Sequence, residues 1–240
     1  MRLSAPIHRL KRAARVQARA EAIPLHAALD RIAGTEGFAS WSLLARQHAG
    51  DTIDPIRLHA LLAPGELVLI AARPRQGKTL LALKLALAAL HAGNPAYVFS
   101  LDYTPRDIAG HLASMPPNLA RFAARLGIDC SDTIAADHIM DRLAAAPRGT
   151  LAVVDYLQLL DQKRTNPPLQ HQIEALSDFA RTRGIILVFV CQIDRAFDPD
   201  TAPSPGPADI RLPNPLDLGL FDRAWFLHAG ELRQTGSPGA

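Results

Sequence analysis

At 240 residues and 25.9 kDa, the chain has room for one α/β domain and a short appendage, because domains run about 100–200 residues. Hydrophobic residues make up 48% and charged residues 20%, a balance that buries a core and excludes wholesale disorder. No apolar run approaches the ~18 residues of a membrane helix. Two cysteines without Cys/His clustering, Cys130 and Cys191, argue against a disulfide scaffold or structural zinc site and for a reducing cytoplasm.

The net charge of +3 conceals an asymmetry. Residues 1–20 hold Arg2, Arg9, Lys11, Arg12, Arg15 and Arg19 without an acid, which is +6, whereas the other 220 residues carry 20 basic and 23 acidic side chains. Arg9, Arg12, Arg15 and Arg19 recur at helical spacing on one face, with Leu10, Ala13 and Ala14 on another. Two readings stay open for that basic face: a solvated side of a docking helix, or electrostatic contact with nucleic acid. An Arg-rich, acid-free terminus is also compatible with a transit peptide. Pro24 suits a first helical turn, Leu25, Leu29 and Ile32 continue a stripe, and Ser40 can cap a short helix with Trp41 and Leu44 inward. Residues 1–55 are therefore expected to form a small helical appendage.

Residues 56–240 alternate apolar runs with helical stretches. Continuous runs at Leu67–Ala72, Tyr97–Leu101, Leu151–Val154 and Ile185–Cys191 suit strands covered on both faces. Helices are expected at Thr79–Leu90, Pro105–Ser114, Leu119–Leu126, Ile134–Ala146 and Leu169–Arg183, and a further strand at Arg223–Leu227. This order predicts an α/β fold with a mainly parallel β-sheet flanked by helices. The 199–215 segment, with six prolines, reads as a stiff extended loop.

The most specific signal is the strand Leu67–Ala72 running through Arg73, Pro74, Arg75, Gln76 and Gly77 into Lys78-Thr79 and an Ala/Leu-rich helix. Strand, glycine loop and helix in this order make a P-loop. Backbone N–H groups from Ala72 to Thr79 can wrap a phosphate chain, Gly77 allows close approach, and the helix N-terminus adds positive dipole. Lys78 then reaches the β/γ-phosphates, and the Thr79 hydroxyl is a hard oxygen ligand for Mg²⁺. Asp155, closing the run Leu151–Val154, is the expected second metal ligand; the alternative is a strand-end Asp capping the next helix.

The segments AARPRQGKTLLALKLAL, VFSLD, LAVVDYLQLL and LVFVCQIDR together resemble the ATPase domain of DnaB-type replicative helicases, within the wider RecA-like group, over about Leu62 to Gly230. The resemblance implies a RecA-like P-loop NTPase using ATP and Mg²⁺. It makes Asp102 the carboxylate that activates water, where the family usually has Glu, and Gln192 the sensor of the γ-phosphate. It implies a hexameric ring acting on single-stranded DNA in replication or repair, with Lys163, Arg164 and Arg211 on loops that face the channel; for Lys163 and Arg164 the readings are phosphate contact or solvated surface, and for Arg211 nucleic acid or a subunit contact. The family's N-terminal domain is replaced by about 55 unlike residues. Its C-terminal Lys-x-Arg motif survives at best as Glu231-Leu-Arg233, leaving Arg195, Arg223 or Arg233 as candidates to reach a neighbour's nucleotide. The alternative reading is a weakly hydrolysing nucleotide-dependent switch or adaptor. A plain metabolite kinase is disfavoured by the Asp-Tyr-Leu-Gln and Gln192 matches.

Overall fold

The apolar runs become the strands of one sheet. The structure, a computed structural model, describes residues 3–235 except 6, 51–52, 161–162, 164–165, 195, 198–203, 213 and 229, with only the backbone at 8 and 46–50. The chain divides into two compact units, residues 1–53 with 229–231 and residues 54–228 with 232–240.

In the first unit, α1 (Ile7–Ala20), α2 (Leu25–Thr35) and α3 (Trp41–Gly50) surround a small core. Leu10, Ala33 and Leu44 are buried there, with Ile7, Ile32, Phe38 and Trp41 packed against them. The Ser40 hydroxyl accepts from the Leu43 N–H at 3.3 Å, and Asp30 accepts from the Trp41 N–H at 2.8 Å, so α3 starts with two capping acceptors.

The second unit is built around strands β1 (Leu67–Ala72), β2 (Ala96–Ser100), β3 (Gly127–Asp129), β4 (Leu151–Asp155), β5 (Ile186–Gln192) and β6 (Arg223–His228); β7 (Glu231–Thr235) closes the sheet, whose order is β3-β2-β4-β5-β1-β6-β7. All pairings among β1–β6 are parallel. Every residue of β1 and β4 is buried, as expected of strands covered on both faces. One face packs Leu69, Phe99, Val154, Phe189 and Phe226 against α8 (Ala136–Leu143) and α9 (Leu169–Arg183). The other carries α5 (Lys78–His91), which is buried nearly all round and is flanked by α4 (Pro55–Ala60) and α7 (Pro117–Ala120). A helix apolar on every side needs such a site. Cys191 belongs to the core on the α8 and α9 face, where burial pushes its thiol up to about 12; a thiol so raised is a packing residue rather than a nucleophile.

Five local readings are corrected. The helix expected over Leu119–Leu126 is only α7, followed by a 3-10 turn at Ala123–Arg125 and by β3. Gly127-Ile-Asp129 carries too little apolar pattern to announce a strand; pairing with β2 at the sheet edge makes it one. The strand β2 ends at Ser100, so Asp102 lies in the turn beyond it, before α6 (Pro105–Ala113). The expected helix Ile134–Ala146 shortens to α8. In the proline-rich segment, residues 204–212 are not wholly extended: Pro207–Asp209 forms a 3-10 turn and Ile210 bridges antiparallel to Ile193.

Candidate nucleotide site

The candidate site lies at the C-terminal edge of the parallel strands, where open α/β sheets bind ligands. Ala72 ends β1, paired with Gln192 on one side and Leu227 on the other. Arg73, Pro74, Arg75 and Gln76 form the turn that follows, and Arg75 has φ +64°. Gly77 has φ +89° and is the N-cap of α5. A Cβ there would meet nothing nearer than a Leu227 methyl at 3.9 Å, so backbone conformation, not space, calls for glycine. No side chain caps α5, which leaves its first N–H groups available to an anion.

Lys78 and Thr79 open α5, each only 7% exposed. The Lys78 ammonium stands 5.8 Å from the centroid of the Tyr156 ring, within reach of the π-face. Asp155 is 1% exposed and, among the described residues, neither carboxylate oxygen has a hydrogen-bond partner. It does not cap the following 3-10 turn at Leu157–Leu159, which has no side-chain cap, so that alternative is set aside. Burial pushes the Asp155 carboxyl above the usual aspartate range, and Asp102 adds to the rise. The Thr79 hydroxyl and Lys78 charge oppose it; Thr79 lies near without meeting hydrogen-bond geometry.

An unpartnered buried carboxylate beside a threonine hydroxyl is a hard-oxygen donor set and fits a divalent cation, which would repay the desolvation that the protein leaves uncompensated. Among the described residues, no group of three or more His, Cys, Asp or Glu could hold a metal by itself.

Asp102 is exposed and, among the described residues, makes no hydrogen bond or ion pair. Its turn is tied back to β4: Leu101 donates its N–H to the Asp155 carbonyl at 2.9 Å, and the buried Ser100 hydroxyl accepts from the Tyr103 N–H at 3.1 Å. Asp102 also lines a cavity of about 360 Å³ beside the ends of β2, β3 and β4, together with Cys130, Asp132, Lys163 and Asn166. Lys163 is exposed and pairs with Asp132 at 3.5 Å across that space. Arg164 and Arg195 lie outside the described residues.

Gln192 is half-buried at the end of β5, next to Ala72. Its carbonyl accepts from the Arg211 N–H at 2.9 Å, which fixes the loop carrying exposed Arg211 to the strand. Two residues legible in the sequence only as part of a family signature gain definite positions. Tyr156 is flanked by charge: burial and then Asp102 raise its phenol, and Arg211 opposes them. Gln158 is buried and its amide N–H₂ donates to the Arg211 carbonyl at 2.7 Å and the Cys191 sulfur at 3.0 Å, with a longer contact of 3.4 Å to the Gln192 carbonyl. One side chain thus joins the stretch after β4, the end of β5 and the Arg211 loop. The Asp-Tyr-Leu-Gln run is the signal that points to both.

Of the arginines named as candidates to reach a neighbouring nucleotide, two lie on described strands. Arg223 begins β6, and its guanidinium donates to both Glu66 carboxylate oxygens at 2.9 and 3.0 Å, so it is already engaged. Arg233 lies on β7, whose polar sequence Glu231-Leu-Arg-Gln-Thr235 has the look of a remnant motif and yet forms a strand.

Residues 57–147 match the family model of the DnaB-like helicase C terminal domain. The resemblance is to the DnaB-type helicase ATPase domain. Among solved structures similar in fold are the following two. One, described as an ATPase domain, is 19% identical with a TM-score of 0.53, covering 68% of this chain and 69% of that one. A structure described as a DnaB-like replicative helicase and its interactions with primase is 18% identical with a TM-score of 0.54, covering 68% of this chain and 47% of that one. The chain therefore spans about half of the latter. No curated protein gives a significant match. The fold shared with these structures is RecA-like, a mainly parallel sheet flanked by helices.

Proposed function

We propose that residues 56–240 form a Mg²⁺-dependent ATPase domain that works on single-stranded DNA in replication or repair, in the cytoplasm and within a homo-oligomeric ring, with residues 1–55 as a basic appendage. The observation that carries this reading is the buried, unpartnered carboxylate of Asp155 beside Lys78 and Thr79. A purely structural sheet end has no use for it.

In this reading the turn Ala72–Thr79 wraps the phosphates with backbone N–H groups, and Lys78 offsets charge developing on the γ-phosphoryl oxygens. Thr79 and Asp155 are the residues that would hold Mg²⁺, whose chemistry is to neutralise the phosphate oxygens. Asp102 accepts a proton from the water that attacks the γ-phosphorus, while the bond to the β,γ-bridging oxygen breaks and ADP leaves. Gln192 reads the state of the γ-phosphate, and Arg211, fastened to the Gln192 backbone, passes it to the nucleic-acid loops with Lys163 and Arg164.

ATP turnover measured with and without a single-stranded oligonucleotide tests the reading. DNA is expected to raise turnover, with light scattering showing a larger assembly in Mg-ATP. Turnover indifferent to DNA would remove the coupling.

A second reading, a nucleotide-dependent switch that hydrolyses little, is favoured by Asp102 itself. It is a short acid in an exposed turn, held by no hydrogen bond among the described residues, and displacement of a catalytic group by about 1 Å can cost on the order of a hundredfold. Asp102→Glu separates the two: a gain of roughly 10- to 100-fold in turnover supports the switch, and an unchanged rate supports the working ATPase.

A further inference from the structure

The helix α1 carries a broad surface of one sign, and nothing in the nucleotide site uses it. Its inward side is defined by buried Leu10 and Ala14, with Ile7 packed against the same small core. At 3.6 residues per turn, Arg9, Arg12, Arg15 and Arg19 fall on the opposite side, and all four are exposed. Their spacing covers a rise of about 15 Å, long enough for several phosphates of one strand to lie along the face.

Counter-charge is scarce there. Among the described residues, Arg9, Arg15 and Arg19 have no ion pair. The one acid at the helix end, Glu21, is already held by Arg31 and by the Gln17 amide at 3.0 Å. Lys11 turns to the Trp41 ring, 6.0 Å from its centroid. A protein partner needs an apolar anchor at the centre of its contact, but the stripe offers only Val16, 62% exposed. Phosphates need none. They need evenly spaced cations, and guanidinium groups match them with paired donors.

We propose that the face of α1 carrying Arg9, Arg15 and Arg19 is a phosphate-tracking surface for single-stranded nucleic acid that binds independently of nucleotide turnover. It recognises the backbone and not the bases, so its binding is sequence-tolerant and steeply salt-dependent.

Fluorescence anisotropy of a labelled 20-mer of deoxythymidine, titrated with the full chain in the absence of ATP over a range of NaCl, tests it. The triple variant Arg9→Gln/Arg15→Gln/Arg19→Gln is expected to lower the salt slope by about 2, since each lost single-strand phosphate contact removes ~0.7. Affinity at about 0.1 M salt should fall at least about tenfold. Arg→Lys at the same three positions should restore the slope, and circular dichroism should match the parent for both variants. A triple-Gln variant with parental slope and affinity overturns the proposal, as does a parent that does not bind the oligonucleotide. Equal displacement by polyglutamate of the same charge also overturns it, assigning the face to an acidic protein. DNA-stimulated turnover is read separately, and its loss with α1 binding intact would tell against the ATPase reading alone.

Discussion

At the N-terminal edge of β1 and β6, the charges are closed on one another. Glu66 takes two hydrogen bonds from Arg223, and Asp222 accepts from the Leu67 N–H at 2.8 Å. At the C-terminal edge of the same sheet, Asp155 is buried without a partner among the described residues, Gly77 and Arg75 hold positive φ, and the first turn of α5 is uncapped. The strands are the same material at both ends, so the contrast does not arise from fold requirements. One edge satisfies its polar groups internally and stabilises the domain. The other leaves them open, at a cost in stability, as the proposed nucleotide site requires.

That comparison can be broken by substitutions at either edge. The largest effect expected is on catalysis. Lys78→Ala should cut ATP turnover by about 10²–10³-fold or more while thermal unfolding stays near the parent; a variant that unfolds instead would make Lys78 a structural residue. Next comes the closed edge. Glu66→Ala leaves Arg223 unpaired and should cost about 2 kcal/mol, as for hydrogen bonds to charged groups, lowering Tm by roughly 4–8 °C. Turnover per folded molecule should persist.

Asp155→Asn sharpens the contrast because its two effects have opposite signs. Removing an unpaired buried charge should raise the Tm of the nucleotide-free protein by about 2–4 °C, the shift that roughly 1 kcal/mol produces at this size, while Mg-dependent nucleotide binding is lost. The pH dependence follows from the raised carboxyl. The folded state holds a proton that the unfolded state has released, so stability falls as pH rises from the ordinary aspartate range through the raised value. Mg-nucleotide binding, which uses the ionised form, strengthens over the same interval. Calorimetry across acid pH with and without Mg-ATP checks both. The smallest effect is expected from Gln158→Ala: about 1 kcal/mol in stability, since the Arg211 N–H still reaches the Gln192 carbonyl. Its signature is DNA stimulation lost with basal turnover kept; stimulation unchanged would reduce Gln158 to packing.

Much of the site was legible because it is local. The segment Ala72–Thr79 is one continuous stretch of chain, so its order of strand end, glycine loop and helix start survives as a string of letters. Strands β1, β4 and β5 were legible for a related reason: burial on both faces demands unbroken apolar runs. β3 and β7 were not, because three residues or a polar edge are strands only when a neighbour pairs with them. The role of Gln158 was likewise invisible, since its acceptors lie 33 and 53 residues away in the chain.

By itself, the sequence determined the P-loop, the parallel α/β class and the concentration of positive charge in the first twenty residues, because each depends on neighbours in the chain or on simple counting. Only the tertiary structure decided that Asp155 is left without a hydrogen bond beside Lys78 and Thr79, that Arg223 is spent on Glu66, and that four arginines of α1 face away from its core. Each of those facts is a balance between burial and partnership, and partnership is set by sheet register and helix packing across distances that composition and spacing do not encode.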